Sequence, residues 1–451
     1  MSIAILIPMC SRNQTWTTLE DCYFLRSFLP RFEASKTAAY TYRFYLGIDD
    51  DDAFFLAHRR ELEQKGFGVY VLSGCQHAPA QAWNRLFEAA VADGNEYFFQ
   101  IGDDVILQSR KWTERFIEVL QSHGNKGVVG PCHPQNYWMR KNAGTDPVIE
   151  NAFVHRSHYE IFGYLFPPDI RNWYCDNWMT QVYAPFCAYT CQDIIVQNQC
   201  IDNRYAIEQL DISALVEAGR TRLLGALKGC FSFCLFGTQE KYRKGMARNV
   251  EMIQAHYPHW DIRIYASPDC EEFARSLSVS GVTTIATHAD GFVNVLYRFH
   301  ALFETYDVVC VRDADSRIHD RDRWCIEHFL RSPFTAYTIR DHPFHTYPIM
   351  GGLWGIKRGH PLFSPRDLEQ FAQTSHTGYT TDTTFLEKTL SRKNLVVYSY
   401  DPKGVRNDES ETVCVIGEPI RDQNFCGNVM LFGSEGEFPE FTHPESVEAN
   451  E

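Results

Sequence analysis

Two short acidic motifs carry the clearest chemical signal in the sequence. Gly102-Asp103-Asp104 and Asp313-Ala314-Asp315 each directly follow an apolar run that predicts a buried strand. Mg²⁺ and Mn²⁺ prefer oxygen ligands, and Mg²⁺ is usually held by one or two carboxylates together with substrate phosphates. A solvated turn explains either motif taken alone. Two motifs at equivalent positions favour metal sites with Asp104, Asp313 and Asp315 as ligands.

The elements that must position these motifs alternate between strand and helix in both halves of the chain. In the first half, strands are expected at residues 3–8, 42–48, 68–72 and 97–101, with a helix over about 80–92. In the second half, strands are expected at 231–236, 261–266 and 307–311, with a helix over about 242–256. Such alternation predicts a parallel, doubly wound sheet with right-handed crossovers.

The same order of elements occurs twice, which predicts two copies of one architecture with different sequences. The expected fold class is therefore α/β, with two tandem Rossmann-like domains of mostly parallel sheet. We place them at residues 1–218 and 226–451. The junction is expected between about 215 and 228, where residues 217–220 break the pattern.

Open α/β sheets bind their ligands at the carboxyl ends of the strands. Ser11 and Arg12 follow the first strand, where backbone N–H groups and a guanidinium can meet a diphosphate. Asp49 ends the second strand and can accept hydrogen bonds from a base or ribose, although the acids after it also suit a solvated loop. The full set of expected nucleotide contacts is Pro8, Ser11, Arg12, Asp49, Asn84, Asp103, Gly237, Arg298 and Asp313.

Two later segments combine aromatic, histidine and glycine residues, at 155–178 and at 339–355. Aromatic rings beside a carboxylate can stack on a sugar and desolvate a catalytic base. The alternative is an aromatic core with Asp176 capping a helix. His342 and His345 also have a spacing that a metal could use, but we favour acceptor or phosphate contacts. The expected acceptor and sugar contacts are His155, Trp173, Trp178, His342, His345, Gly351 and Gly352.

These segments resemble glycosyltransferases of the GT-A fold, whose DxD-type motif binds the metal of a nucleoside-diphosphate sugar. Residues 100–105 are similar to the strand-end "EDD" variant, with Gly102 where an acid often stands. Residues 166–178 are similar to the acceptor side of inverting members, and Asp176 matches their catalytic base. The motifs at 312–317, 340–342 and 351–355 resemble a set found in GT-A-like transferases of microbes and large viruses. Asp382 falls where such proteins carry an acid, with Thr383 in place of the usual Gln.

The resemblance implies transfer of a hexosyl or pentosyl group from a UDP- or GDP-sugar to a glycan or other hydroxyl acceptor. It implies Mn²⁺ or Mg²⁺ as the cofactor, with Asp176 and Asp382 as catalytic carboxylates and inversion in the first domain. A bifunctional enzyme is expected. The alternatives are one active domain beside a degenerate glycan-binding or scaffolding module, or a sugar nucleotidyltransferase.

The composition of the chain argues against several other classes of protein. The 451 residues are 44% hydrophobic and 22% charged, as in a globular protein, and the net charge of −14 argues against binding nucleic acid. An RNA polymerase with a Gly-Asp-Asp motif would need a basic channel. No apolar run is long enough for a transmembrane segment, and the apolar start suits a buried strand better than a signal peptide. The 15 scattered cysteines predict reduced thiols, and Cys187 and Cys191 lack a second pair for a zinc site. We therefore expect a cytoplasmic protein, in the host cytoplasm if the source is viral.

Overall fold

The chain divides into two compact units, Met1–Ala226 and Leu227–Glu451. The computed structural model describes residues 1–143, 147–199, 209–289, 291–359, 363–374, 378–390, 395–400, 412–416 and 426. The expected break in pattern at residues 217–220 is wrong, because these residues lie inside one continuous helix, Ser213–Gly225. Gly219 lies so close to Val182 and Trp178 that a Cβ at this position would be 2.7 Å from the valine side chain. The glycine therefore serves close helix packing rather than a linker.

The first unit is built on one eight-stranded sheet. Its strands are β1 (Ser2–Met9), β2 (Thr41–Asp49), β3 (Gly68–Leu72), β4 (Tyr97–Gln100), β5 (Val105–Leu107), β6 (Val128–Cys132), β7 (Phe153–His155) and β8 (Ala188–Asn198). They lie in the order β3-β2-β1-β4-β7-β6-β8-β5. Strand β7 runs antiparallel to β4 and β6, and β5 runs antiparallel to β8; the other neighbours are parallel.

Helices cover this sheet. They are α1 (Leu29–Ser35), α2 (Ala53–Gln64), α3 (Pro79–Ala92), α4 (Trp112–Ser122), α5 (Pro134–Asn142), α6 (Ser157–Phe162), α7 (Cys175–Tyr183) and α8 (Ser213–Gly225). Short 3₁₀ and π segments lie at Leu19–Asp21 and Phe24–Phe28. Side chains of β1 alternate between two cores, with Ile3, Ile5 and Ile7 in one and Ala4 and Leu6 in the other. A strand buried on both faces reads as a continuous apolar run, which is why β1 was predictable.

The second unit also has one eight-stranded sheet. Its strands are β9 (Gly229–Leu235), β10 (Asp261–Ala266), β11 (Val282–Ala286), β12 (Val308–Arg312), β13 (Ala336–Arg340), β14 (Leu353–Lys357), β15 (Leu395–Ser399) and β16 (Thr412–Val415). They lie in the order β11-β10-β9-β12-β14-β13-β15-β16, and only β14 runs antiparallel to its neighbours. The helices are α9 (Glu240–His256), α10 (Glu271–Ser276), α11 (Asn294–Tyr297), α12 (Asp320–Arg331), α13 (Pro365–Thr374) and α14 (Thr381–Thr389), with 3₁₀ segments at Gly291–Val293 and Arg298–Phe303.

The two sheets share one topology over seven strand positions. In each unit the first strand along the chain is flanked by the second and the fourth, and an antiparallel strand, β7 or β14, follows the fourth. The edge strand differs, because β5 is antiparallel to β8 whereas β16 is parallel to β15. The predicted fold class, two tandem α/β units with mostly parallel sheets, is confirmed.

Candidate active sites at the strand ends

In the second unit, one buried arginine joins two of the predicted carboxylates. Arg298 starts the 3₁₀ segment after α11 and is 1% exposed. Its Nη1 lies 2.5 Å from Asp313 Oδ1 and 2.9 Å from the carbonyl oxygen of Arg312, and its Nη2 pairs with the carboxylate of Asp382. Because Asp313 follows β12 and Asp382 lies in the first turn of α14, the guanidinium holds the strand end and the helix start together.

Gly351 and Gly352 bring backbone directly against these carboxylates. A Cβ on Gly352 would lie 2.0 Å from Oδ2 of Asp313, and a Cβ on Gly351 would lie 2.2 Å from Oδ2 of Asp382. No side chain can replace either hydrogen without moving a carboxylate. The structure therefore gathers five predicted site residues, Arg298, Asp313, Asp382, Gly351 and Gly352, into one cluster.

The second carboxylate of the motif meets a residue that the sequence reasoning missed. Nζ of Lys241, in the first turn of α9, lies 2.9 Å from Oδ2 of Asp315. Asp315 is 7% exposed. Its burial and the charge of Asp313 raise the pKa of the Asp315 carboxyl, and Lys241 opposes that rise. The sequence does show a lysine shortly after the first strand of the unit, and this position could have predicted the contact.

Aromatic side chains form a row near the start of α14. The ring centroids of Phe236 and Phe292 are 6.0 Å apart, and those of Phe292 and Tyr379 are 6.2 Å apart. Phe236 directly follows β9, and Tyr379 precedes α14 and is largely exposed. Exposed rings at a strand end can stack on a base or on the apolar face of a sugar. Gly237, the next residue after Phe236, has a φ of +82°, which glycine adopts without strain.

His342 and His345 follow β13, which runs in the same direction as β12 and ends at the same sheet edge. Both are buried rather than open to a ligand. Nδ1 of His345 lies 3.4 Å from Oδ1 of Asp341, and Nη1 of Arg321 lies 3.6 Å from Oδ2 of that residue. Burial acts in the opposite direction, but the hydrogen bond and charge of His345 lower the pKa of Asp341. His345 is therefore part of an internal ionic network, and we leave both buried histidines out of the site.

In the first unit, the two aspartates that follow β4 are unequal. Asp103 is 2% exposed, and its charge contributes, after burial, to raising the pKa of Cys22 to about 11. Asp103 therefore lies on the core side of the strand end. Asp104 is partly exposed. This leaves Asp104 as the carboxylate available to a ligand at this strand end, as its assignment as a metal ligand requires.

The residues predicted to contact the nucleotide after β1 and β2 are tied to one another. Nη2 of Arg12 lies 3.1 Å from Oδ2 of Asp49 and 3.2 Å from Oδ1 of Asp51. Burial raises the pKa of Asp49, and the charge of Arg12 opposes that rise. The backbone N–H and the hydroxyl of Ser11 donate to Asp52 at 2.8 and 2.7 Å. Asp52 also accepts a hydrogen bond from the backbone N–H of Phe55, so it caps α2 rather than lying in a solvated loop.

The contacts of Asn84 and Pro8 are with the backbone elements of the first unit. The side-chain amide of Asn84, in α3, donates to the carbonyl of Phe166 at 2.9 Å and accepts from its N–H at 2.8 Å. This buried side chain fixes the loop that leads towards Asp176. Pro8 lies in β1 opposite Gly47 of β2.

Asp176 lies in the first turn of α7, behind a residue with unusual backbone geometry. Tyr174 precedes the helix with a φ of +74°, in the left-handed region that non-glycine residues rarely adopt. Burial, followed by the charge of Glu150, raises the pKa of Asp176 to about 7. The Cys175 thiol donates to Oδ1 of Asp176 at 3.5 Å. A carboxyl that titrates near neutrality suits a general base.

Glu150, whose charge affects Asp176, lines a small open pocket. The side-chain amide of Asn136 donates to both carboxylate oxygens of Glu150, at 2.9 and 3.1 Å. Arg140, which lowers the pKa of Asp176 slightly, lines the same pocket. The other lining residues are Pro131, His133, Tyr137, Val148, Asn151 and Thr190. This pocket was not predicted from the sequence, because α5 and the segment before β7 carry no recognisable motif.

Three predicted acceptor residues of the first unit have different environments. Trp178 is fully buried, and its indole N–H donates to the carbonyl of Leu215 at 3.1 Å, so the core interpretation holds for this residue. His155 pairs with Tyr97 at the start of β4, which is the sheet edge opposite Asp104. We therefore leave both out of the site. Trp173 is 39% exposed and lies three residues before Asp176.

Three structural features are absent from the described residues. No three carboxylate, imidazole or thiol side chains lie close enough together there to hold a metal ion. No helix in that part of the chain has the length and apolar character needed to cross a bilayer. The described cysteines form no disulfide.

Comparison with known proteins gives similarity to solved structures only. No family model matches the chain, and no curated protein matches it in sequence. The chain is similar to TarS from S. aureus, with 11% identity, a TM-score of 0.31 and coverage of 43% of this chain and 36% of that one. It is similar to the mannosyltransferase PcManGT from Pyrobaculum calidifontis, solved with GDP-Man and Mn²⁺, with 14% identity, a TM-score of 0.32 and coverage of 43% and 55%.

A third similar structure is 4-diphosphocytidyl-2C-methyl-D-erythritol synthase from Anaerococcus prevotii, with 10% identity, a TM-score of 0.30 and coverage of 41% and 90%. The matches to TarS and to PcManGT each span less than two thirds of the other chain. Similarity this low carries no information about activity. What can be said of function therefore depends on the residues of the two sites.

Proposed function

We propose that the protein transfers a sugar from a UDP- or GDP-sugar to a hydroxyl group of a glycan or similar acceptor, with the help of Mn²⁺ or Mg²⁺. One observation carries the proposal. Both units place a carboxylate after the fourth strand, Asp104 or Asp313, and a second one in the first turn of a later helix, Asp176 or Asp382. These positions are equivalent in the shared topology, at the sheet edge where open α/β sheets bind ligands.

The residues present fit a hard divalent cation. Carboxylate oxygens are suitable ligands, and the absence of a Cβ at Gly352 allows the Asp313 carboxylate to lie where it does at the strand end. Asp104 would hold the ion in the first unit, and Asp313 with Asp315 would hold it in the second. A bound ion of this kind offsets the negative charge that develops on the departing nucleoside diphosphate.

In the first unit Asp176 acts as the base. It takes the proton from the acceptor hydroxyl while the hydroxyl oxygen bonds to the anomeric carbon of the donor sugar. The bond from that carbon to the diphosphate oxygen breaks, and the nucleoside diphosphate leaves with the electron pair. Attack from the face opposite the leaving group inverts the configuration. The pKa of about 7 supports this role, because a carboxyl that titrates near neutral pH can both take up and release a proton there.

In the second unit Asp382 is paired with Arg298, and we assign it to positioning rather than to proton transfer. We therefore propose two working transferase sites that differ in their catalytic residues. The alternative is a single working site, with the other unit binding a glycan or acting as a scaffold.

The test compares Asp104→Ala and Asp315→Ala in the full chain. Nucleotide-sugar hydrolysis with Mn²⁺ is measured, together with thermal shifts by UDP- and GDP-sugars, since donor binding stabilises the folded state. Each variant should lose the activity of its own unit, roughly 100-fold or more. The controls are Asp193→Ala and Asp320→Ala, exposed aspartates of the first and second unit.

If all activity disappears with one variant and none with the other, the chain has a single working site. If neither variant alters turnover or metal-dependent nucleotide binding, the proposed function is wrong.

A further inference from the structure

Lys241 is paired with one of the carboxylates that are proposed to bind the metal ion. Its Nζ lies 2.9 Å from Oδ2 of Asp315, and it also lies 4.4 Å from the ring centroid of Tyr242. The lysine side chain is 33% exposed, whereas that of Asp315 is 10% exposed. The ammonium group therefore covers, from the solvent side, one of the carboxylates expected to bind the metal.

Helix α9 holds Lys241 against the acidic motif. A Cβ on Gly245 would lie 2.2 Å from the carbonyl oxygen of Ala314, so the helix backbone packs directly on the loop. The side-chain amide of Asn249 donates to the carbonyl oxygen of Ser316 at 2.7 Å. Both residues lie on the same helix as Lys241, which fixes the Cα of Lys241 relative to the carboxylates. The N-terminus of this 17-residue helix follows β9 at the ligand-binding edge.

A divalent ion and an ammonium group compete for the same oxygens. Two cations a few ångströms apart repel each other strongly at a partly buried site, so ion binding at Asp315 must displace Lys241. The four-carbon side chain can turn to a new anion without moving the helix. If the proposed function is correct, the nearest new anion at this edge is the diphosphate of the donor.

We propose that Lys241 holds Asp315 until the divalent ion binds and then moves to the donor's diphosphate. Lys241 is then a further donor-binding residue of the second unit. The inference depends on the proposed function, since the diphosphate is its second partner. It also gives an order to the events: Mn²⁺ alone binds weakly, and nucleoside diphosphate and ion bind together more tightly.

The test measures Mn²⁺ binding by electron paramagnetic resonance, and UDP and GDP binding by calorimetry. Both use the full chain carrying Asp104→Ala, which removes the metal ligand of the first unit. Lys241→Met should bind Mn²⁺ alone about fivefold more tightly than the parent, because the competing ammonium group is gone. With saturating Mn²⁺, it should bind the nucleoside diphosphate about tenfold more weakly. Lys241→Arg should restore part of that binding.

The matched control is Lys244→Met. Lys244 lies three residues after Lys241 in the same helix, and its Nζ lies 2.7 Å from Oε1 of Glu240. It should behave like the parent in both measurements. Equal melting temperatures and circular dichroism spectra verify that each variant is folded.

Two results would overturn the inference. Unchanged or weaker Mn²⁺ binding in Lys241→Met would show that the lysine does not compete with the ion. Unchanged nucleoside diphosphate binding would show that it does not move to the donor. Both leave the proposed function intact, whereas a parent that binds neither UDP nor GDP in the presence of Mn²⁺ contradicts the proposed function of the second unit itself.

Discussion

Asp176 and Asp382 occupy equivalent places in their units. Asp176 lies in the first turn of α7, which precedes β8, and Asp382 lies in the first turn of α14, which precedes β15. Their electrostatic surroundings are opposite. Burial and the charge of Glu150 raise the pKa of Asp176 to about 7. Asp382 lies against the buried guanidinium of Arg298, which also contacts Asp313. The Asp176 carboxyl has a raised pKa, whereas the Asp382 carboxylate compensates a buried cation.

The acidic motifs at the strand ends also differ, but here the second unit has more carboxylates at the site than the first. The second unit offers Asp313 and Asp315, each paired with a basic side chain. The first unit offers mainly Asp104, because Asp103 is turned into the core. Equivalent topology therefore does not give equivalent surroundings: the first unit has the carboxyl with the raised pKa, and the second has two strand-end carboxylates paired with basic side chains.

The largest expected effect is on proton transfer by Asp176. Asp176→Asn removes the base but keeps the shape of the side chain, and should lower the turnover of the first unit roughly 1,000-fold. Asp382→Asn should have a smaller effect on transfer by the second unit. Glycosyl transfer to an acceptor, measured separately with Asp104→Ala or Asp315→Ala silencing the other unit, checks the difference. Equal losses from the two substitutions would contradict the distinction between base and positioning residue.

The next effect is on stability, and it tests the second unit. Arg298→Met leaves Asp313 and Asp382 without their shared cation and should destabilise the second unit by about 3 kcal/mol. The matched control is Arg263→Met, because Arg263 pairs with Glu304 at 3.0 Å but is less deeply buried, and its loss should cost about 1 kcal/mol. Urea unfolding monitored by fluorescence measures both.

The double variant Arg298→Met, Asp382→Asn refines this comparison. It should be more stable than Arg298→Met alone, because the uncompensated carboxylate has been removed. If Arg298→Met costs no more than Arg263→Met, the arginine is not the centre of the cluster.

The sequence predicted the central elements closely and the contacts at the sites incompletely. Strand β1 was expected at residues 3–8 and spans Ser2–Met9, and α3 was expected at about 80–92 and spans Pro79–Ala92. Long apolar or amphipathic runs allow this, because local pattern determines them. The strand pairings of β7 and β14 were not predicted, since pairing is a long-range property that short strands do not encode locally.

The same limit applies to side-chain partners. The sequence placed Asp315 in a metal site, but the contact with Lys241 depends on how closely α9 packs, which Gly245 permits. Trp178 and His155 were predicted to face an acceptor, yet one lies in the core and the other at the opposite sheet edge. Aromatic and histidine residues suit cores and sites equally well, so only the packed structure separates the two.

The smallest expected effect is on the pH dependence of the free energy of unfolding. It tests the titration of Asp176 without an activity measurement. The pKa of Asp176 is raised in the folded state, from 3.8 to about 7, so the folded protein binds more protons than the unfolded chain between these values. The stability contributed by this group is therefore full below about pH 4 and is lost as the pH rises through 7. Asp176→Asn has no such loss, so its stability relative to the wild type should increase by about 2 kcal/mol between about pH 5.5 and pH 8. Calorimetric melting of both proteins across this range measures the difference. Since the charge of Glu150 contributes to the shift, repeating the comparison in Glu150→Gln should give a smaller increase. A difference that stays constant with pH would mean that Asp176 titrates as an ordinary carboxyl, and the contrast with Asp382 would then have no electrostatic basis.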